Sequence, residues 1–97
     1  MGANYTSVRM RTLGKGDWTF GRFEMRAILP EGQGLWPAFW LLFSEETYGG
    51  WAASGEIDIM ELTGDEPETI FGTIHYGGEF PANTFTGSDF TLPSGKF

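Results

Sequence analysis

The stretch Gly55-Glu56-Ile57-Asp58-Ile59-Met60-Glu61-Leu62 decides the fold of this chain. Acidic and large apolar residues alternate along it, which is typical of a β-strand, because successive strand side chains point to opposite faces. Strict alternation puts Glu56 and Asp58 on one face, and the two isoleucines on the other face, where they line a core. One extra residue, a β-bulge at Ile59–Met60, would return Glu61 to the acidic face.

Three carboxyl groups on one face of a sheet repel each other, and the pKa of at least one of them rises. Folding alone has no use for this arrangement, whereas general acid–base chemistry does. Two alternatives remain open. The acids could be exposed charges on an edge strand, or oxygen ligands of Ca²⁺ or Mg²⁺, although such sites also draw on loop carbonyls and Asn, which the strand lacks.

The rest of the sequence predicts further strands joined by turns that contain Gly and Pro. Alternation is clearest from Trp18 to Leu29, and the continuous apolar run from Trp36 to Phe43 indicates a strand covered on both faces. The other expected strands are Tyr5–Arg11, Thr69–Tyr76 broken at Gly72, and a short one at Phe90–Leu92 in an otherwise loop-like end. Together they predict an all-β, antiparallel β-sandwich or jelly roll.

The chain of 97 residues is long enough for at most one domain with a modest core. The five or so strands are fewer than the two sheets of a sandwich usually need, so we expect an incomplete sandwich. Unpaired strand edges and uncovered aromatic side chains would then favour a homo-oligomer. Nine Phe, four Trp and three Tyr also exceed what so small a core can bury, which predicts that some aromatic side chains are exposed.

Composition excludes several classes of function. The net charge of −7 argues against a nucleic-acid partner, which needs basic patches. No apolar run approaches the roughly 20 residues of a membrane span, so no membrane partner is expected. The absence of Cys excludes disulfides and thiolate zinc sites. Met1-Gly2-Ala3 has neither the basic nor the apolar region of a signal peptide.

The segment Glu56–Glu61 resembles the E-x-D-x-x-E signature of glycoside hydrolase family 16, in its laminarinase-like endo-β-1,3-glucanase branch. Thr19–Ala27 is similar to the strand that precedes the substrate cleft of that family. Leu29–Leu42 is similar to its P-x-G-x-G-x-W-P-A-x-W segment, and Gly72-Thr73-Ile74-His75 to its G-T-x-H. The resemblance covers nearly all of residues 1–97 and implies one partial catalytic domain, the central part of an incomplete jelly-roll fold of concanavalin-like type.

The resemblance implies retaining endo-hydrolysis of a β-1,3-glucan, with Glu56 as nucleophile, Glu61 as general acid/base and Asp58 tuning their protonation. Retention needs the two carboxyl groups about 5–5.5 Å apart. Because the Cα atoms lie about 13–16 Å apart along an extended strand, the side chains must converge. No cofactor or catalytic metal is implied, a structural calcium ion is compatible with the full-length family fold, and the expected location is extracellular. A non-catalytic carbohydrate-binding sandwich and a self-associating fragment remain alternatives.

Five residues are expected to contact the sugar chain: Trp40, Trp51, Trp36, His75 and Arg22. The indole rings could stack on sugar rings, with Trp36 the least certain of the three. His75 could hydrogen-bond the acid/base carboxylate, although a lone His in a strand is often structural. Arg22 could donate to sugar hydroxyls, although Arg on an alternating strand is usually solvated or paired. Trp18 and the Phe side chains are expected in the core.

Overall fold

The computed structural model describes residues 4–92, which form one four-stranded antiparallel sheet. The strands are β1 Ala38–Leu42, β2 Glu56–Glu61, β3 Thr69–Tyr76 and β4 Thr84–Thr91, and they lie side by side in the order β1-β2-β3-β4. Residues 4–92 contain no helix and no second sheet. The predicted all-β, antiparallel and incomplete fold is therefore confirmed. Nothing helical in this part of the chain has the length and apolar character to cross a bilayer.

The predicted bulge in β2 is present. On one side of β2, Phe39 pairs with Met60 but the next β1 residue, Trp40, pairs with Asp58, so Ile59 is the extra residue. On the other side the register with β3 shifts by one residue between Asp58 and Glu61. The register matches the acids with alternate residues of β1: Glu56 with Leu42, Asp58 with Trp40, and Glu61 with Ala38. All three acids consequently lie on one face of the sheet.

Two predicted strands are confirmed with small changes. The apolar run gives the shorter β1, and its expected cover on both faces is wrong, because Ala38 and Leu42 are exposed. The strand Thr69–Tyr76 appears with the predicted bounds as β3. It does not break at Gly72, which keeps its place in the ladder opposite Ser88 of β4.

The strand β4 is much longer than the predicted Phe90–Leu92 and occupies a region expected to be loop. All eight of its residues are exposed. It pairs with β3 along its whole length, from Thr84 opposite Tyr76 to Thr91 opposite Thr69. A Cβ on Gly87 would lie 2.8 Å from the Gly72 carbonyl oxygen, so a residue without a side chain lets the two backbones approach.

The expected strands at Tyr5–Arg11 and Trp18–Leu29 are wrong, because neither segment joins the sheet. Alternation produces a strand only where a neighbouring strand supplies ladder hydrogen bonds, and neither segment pairs with an edge of the sheet formed by residues 38–91. The expected core position of Trp18 is also wrong. Its ring is largely exposed and packs edge-on against Phe23, with the ring centroids 5.8 Å apart.

The sheet face opposite the acids carries apolar side chains that are only partly covered. Ile57 pairs with Leu41 of β1 and Ile74 of β3, yet Ile57 is 49% exposed. An open space of about 810 Å³ lies between this face and the segment Trp18–Phe23. The expectation that Ile57 and Ile59 line a closed core is therefore wrong for residues 4–92, where no second layer packs on them.

Leu62, just after the end of β2, is buried, with 2% of its surface exposed. The loop before β1 is fixed there by two backbone hydrogen bonds, from Leu62 N to Pro37 O at 3.1 Å and from Gly64 N to Leu35 O at 2.9 Å. A Cβ on Gly64 would lie 1.7 Å from the Gly32 carbonyl oxygen, so only glycine fits this contact. The loop is thus held against β2 by backbone atoms.

Candidate active site

Asp58 lies at the centre of the acidic face and is almost fully buried, with 4% of its surface exposed. Burial is the main reason that its pKa rises from 3.8 to about 6. The charges of Glu56 and Glu61 raise the pKa further, as does a hydrogen bond with Glu56, while the charge of His75 acts in the opposite direction. The predicted crowding of three acids, with a raised pKa on one of them, is therefore present.

Glu56 is held by the long connection between β1 and β2, because Trp51 Nε1 donates a hydrogen bond to Glu56 Oε2. The backbone around Trp51 is itself fixed, since Phe80 N donates to Trp51 O at 2.9 Å and Ala52 N donates to Gly78 O at 3.2 Å. The loops on either side of the β2–β3 hairpin therefore close over one end of the acidic row.

Glu61 is held at the other end of the row by Trp36, whose Nε1 donates to Glu61 Oε1 at 3.1 Å. Trp36 belongs to the loop that the Leu62 and Gly64 hydrogen bonds tie to the end of β2. The indole is 70% exposed, so one ring face remains open to a ligand. Each outer carboxylate is thus bound by the N–H group of one tryptophan.

His75 lies beside Asp58, not beside the expected acid/base carboxylate. Its Nε2 is 3.1 Å from Asp58 Oδ2, and its position in the ladder is opposite Glu56. The contact is short but poorly aligned: within the described residues neither Asp58 Oδ2 nor His75 Nδ1 completes a hydrogen bond. The predicted contact with Glu61 is replaced because β3 pairs with β2 in a register that brings His75 to the opposite end of the row.

Phe80 and Phe85 line the same region, and their expected place in the core is wrong, because both are exposed. The ring centroids of Trp51 and His75 are 5.4 Å apart, and Phe80 lies 6.3 Å from Trp51. Phe85 of β4 packs 5.8 Å from His75. The sequence signal for Phe85 was the alternation Thr84-Phe85-Thr86, which the following Gly and Asp obscured.

The remaining expected sugar contacts are placed differently. Trp40 lies on the acidic face opposite Asp58, but Arg9 covers its ring with the guanidinium carbon 4.5 Å from the ring centroid. A sugar could stack there only after Arg9 moves. Arg22 forms an exposed ion pair with Glu24 at 2.6 Å, and no contact between Arg22 and the acidic row occurs among residues 4–92.

Glu56, Asp58 and His75 could also hold a small cation. One donor atom from each lies within 4.8 Å of the others. The set mixes one imidazole nitrogen with carboxylate oxygens, which suits a transition metal better than Ca²⁺, whose ligands are usually all oxygen.

Hydrolysis of a glycosidic bond with retention uses two carboxyl groups, and the sheet presents Glu56 and Glu61 on one face, with Asp58 between them and its pKa raised to about 6. Trp36, Trp51 and His75, three of the five expected ligand contacts, are brought to this row.

Comparison with known proteins identifies relatives of the whole segment. A family model described as Glycosyl hydrolases family 16 matches residues 2–94. A glucan endo-1,3-beta-glucosidase A1 of Niallia circulans is 47% identical over 94 residues, 97% of this chain and 14% of the relative. A beta-glucanase of Rhodothermus marinus is 54% identical over 76 residues, 76% of this chain and 27% of the relative.

Among solved structures, the laminarinase catalytic domain of Thermotoga maritima superposes with a TM-score of 0.57 at 42% identity. The match covers 70% of this chain and 27% of that chain. The four-stranded sheet is thus part of the jelly roll of that laminarinase type, and the chain spans about a quarter or less of the length of these relatives.

Proposed function

The chain belongs to glycosyl hydrolase family 16, and from this membership and the site geometry we propose that it carries the catalytic strand of a retaining endo-β-1,3-glucanase. The observation that carries the proposal is the bulge in β2, which puts Glu56, Asp58 and Glu61 on one face although a regular strand would turn Glu61 away. The name of the Niallia circulans relative states that it is a glucan endo-1,3-beta-glucosidase. That this chain has the same activity is part of the proposal.

In the proposed reaction Glu56 attacks the anomeric carbon while Glu61 gives its proton to the departing glycosidic oxygen, which leaves a glycosyl-enzyme ester. Glu61 then removes a proton from water, and the water displaces Glu56 from the sugar. Asp58, protonated below pH about 6, donates a hydrogen bond to Glu56 and relieves the repulsion in the row. Carboxyl groups and water suffice for these steps, so we propose no cofactor.

The proposed substrate is a β-1,3-linked glucan such as laminarin. The exposed indole of Trp36 and the partly exposed indole of Trp51, each beside one of the two carboxylates, support it, since flat aromatic surfaces suit the C–H faces of sugars. A polymer of this kind does not cross membranes, so we also propose that the enzyme works outside the cell. A structural calcium ion remains a prediction for the full-length family fold.

The test is release of reducing ends from laminarin by the 97-residue chain, by Glu56→Gln and by the control Glu66→Gln. Glu66 is an exposed carboxylate in the β2–β3 turn. We expect Glu56→Gln to lower turnover at least about a thousandfold while the control stays near wild type. Near wild-type turnover of Glu56→Gln would refute the nucleophile assignment. Laminarin binding without turnover by the unsubstituted chain would favour a non-catalytic carbohydrate-binding module.

A further inference from the structure

Trp36 and Trp51 each donate the indole N–H to one carboxylate of the acidic row, and this contact does not involve the faces of their rings. Trp36 Nε1 donates to Glu61 Oε1 at 3.1 Å, and Trp51 Nε1 donates to Glu56 Oε2. An indole N–H is a donor only and cannot accept a proton. Its partner oxygen must therefore be an acceptor at every stage of the reaction.

We propose that Trp36 and Trp51 are positioning residues, and that Trp36 fixes the acid proton of Glu61 on Oε2. The inference rests on the proposed function. In a neutral carboxyl group the carbonyl oxygen is a stronger acceptor than the hydroxyl oxygen, so the hydrogen bond from Trp36 to Oε1 favours the proton on Oε2. The proton that Glu61 gives to the glycosidic oxygen then comes from Oε2. As it is transferred, the bond between the glycosidic oxygen and the anomeric carbon breaks, and the bond between the anomeric carbon and Glu56 forms.

The two indole rings are held by different contacts, so we expect the loss of each N–H group to have a different effect. Trp51 is 37% exposed and packs against His75 and Phe80, so its ring is oriented by neighbours as well as by Glu56. Trp36 is 70% exposed, and its orientation depends on the backbone hydrogen bonds of its loop and on Glu61. Water can replace the N–H group of Trp36 more readily than that of Trp51. Loss of the Trp36 N–H should therefore affect Glu61 less than loss of the Trp51 N–H affects Glu56.

A substitution to Phe separates the two roles of each tryptophan, because Phe keeps an aromatic face and loses the N–H. For Trp36→Phe we expect kcat on laminarin to fall about tenfold, the loss of one hydrogen bond to a charged group, with KM changed less than twofold. For Trp36→Leu, which loses the ring face as well, KM should also rise. Trp18→Phe is the matched control, since Trp18 packs only on Phe23 among its described ring contacts.

If Trp36 serves only to stack on sugar, Trp36→Phe keeps kcat near wild type, and this result would overturn the positioning role. Each kcat is expressed per folded protein, measured by near-UV circular dichroism, because a loss of folded protein also lowers the apparent kcat without changing KM.

The hydrogen bonds are tested without turnover through the indole resonances in a ¹H–¹⁵N spectrum of the 97-residue chain. Four Trp give four such resonances, assigned by single Trp→Phe variants. We expect Glu61→Ala to move the Trp36 resonance upfield and leave that of Trp51, and Glu56→Ala to do the reverse. The Trp18 resonance stays in place in both variants.

A Trp36 resonance unmoved by Glu61→Ala would overturn the inference, whatever the activity. If the pairing is seen but the unsubstituted chain releases no reducing ends, the proposed function has failed for this chain while the indole–carboxylate pairing stands. Failure of the inference and failure of the proposed function are thereby distinguished.

Discussion

On the acidic face of the sheet Asp58 is 4% exposed, whereas on the opposite face Ile57 is 49% and Ile59 38% exposed. Globular proteins usually bury apolar side chains and leave carboxylates in water. The acidic face is covered by side chains from the loop before β1 and from the connection between β1 and β2, which fold back onto it. The apolar face has only the open segment Trp18–Phe23 before it. The loops of residues 4–92 therefore build the site but do not close the core.

The largest expected difference is in stability, between the packed end of β2 and the open apolar face. Leu62→Ala should lower the free energy of unfolding by about 2–5 kcal/mol, because Leu62 is 2% exposed. Ile57→Ala, at a half-exposed position, should cost about 1 kcal/mol. Urea denaturation monitored by Trp fluorescence measures both. Equal costs would mean that the apolar face is covered in solution.

The second prediction concerns the pH dependence of stability on the acidic face. Because the pKa of Asp58 rises from 3.8 to about 6 on folding, the folded state binds the proton more tightly than the unfolded state. This contribution is fully present below pH 3.8, is lost as pH rises through about 6, and amounts to about 3 kcal/mol.

The measurement is urea denaturation at pH values from about 3.5 to about 7.5, a range that brackets the unfolded-state pKa of 3.8 and the folded-state pKa of about 6. Asp58→Asn cannot ionise, so its stability should fall less across this window than that of the unsubstituted chain. Ile57→Ala, on the other face, should retain the full pH dependence. An Asp58→Asn variant with an unchanged slope would place the titration on another group.

The smallest expected effect concerns self-association, which we propose because the apolar face and the β4 edge are exposed. Light scattering should give a mass above the 10.8 kDa of one chain. Ile57→Lys puts a charge on the apolar face and should weaken association roughly tenfold. Glu66→Lys also introduces a lysine, but in an exposed turn away from the apolar face, and should weaken association less. A strictly monomeric chain would contradict the proposal.

The sequence predicts β2 and its bulge because the spacing of Glu56, Asp58 and Glu61 conflicts with strict alternation unless one residue is extra. It predicts only the last two residues of β4, since Gly87 and Asp89 are poor strand formers and every side chain there is exposed. Residues 84–91 form a strand because they pair with β3 along their whole length. Long-range pairing is not visible in a local pattern, and the same limit explains why Trp18–Leu29 alternates without forming a strand.

The site follows the same rule. The acids could be named from the sequence because they share one strand. The hydrogen bond from Trp36 to Glu61 spans 25 residues and depends on how the loop before β1 lies against the end of β2. Likewise, His75 was expected beside Glu61, but the register of β3 against β2 places it at Asp58. The residue types were enough to predict which side chains are the acids. Their contacts with Trp36 and His75 could be identified only from the strand register and the loop positions.

The bulge in β2 has a consequence for recognising such strands elsewhere. Four residues separate Glu56 from Glu61, and the extra one restores the side on which Glu61 lies. A strand shortened by one residue after Asp58 would reach the same side by plain alternation, with its last acid still opposite Ala38 of β1. Two motif lengths thus encode one orientation, and a pattern search with a single fixed gap would find only one of them.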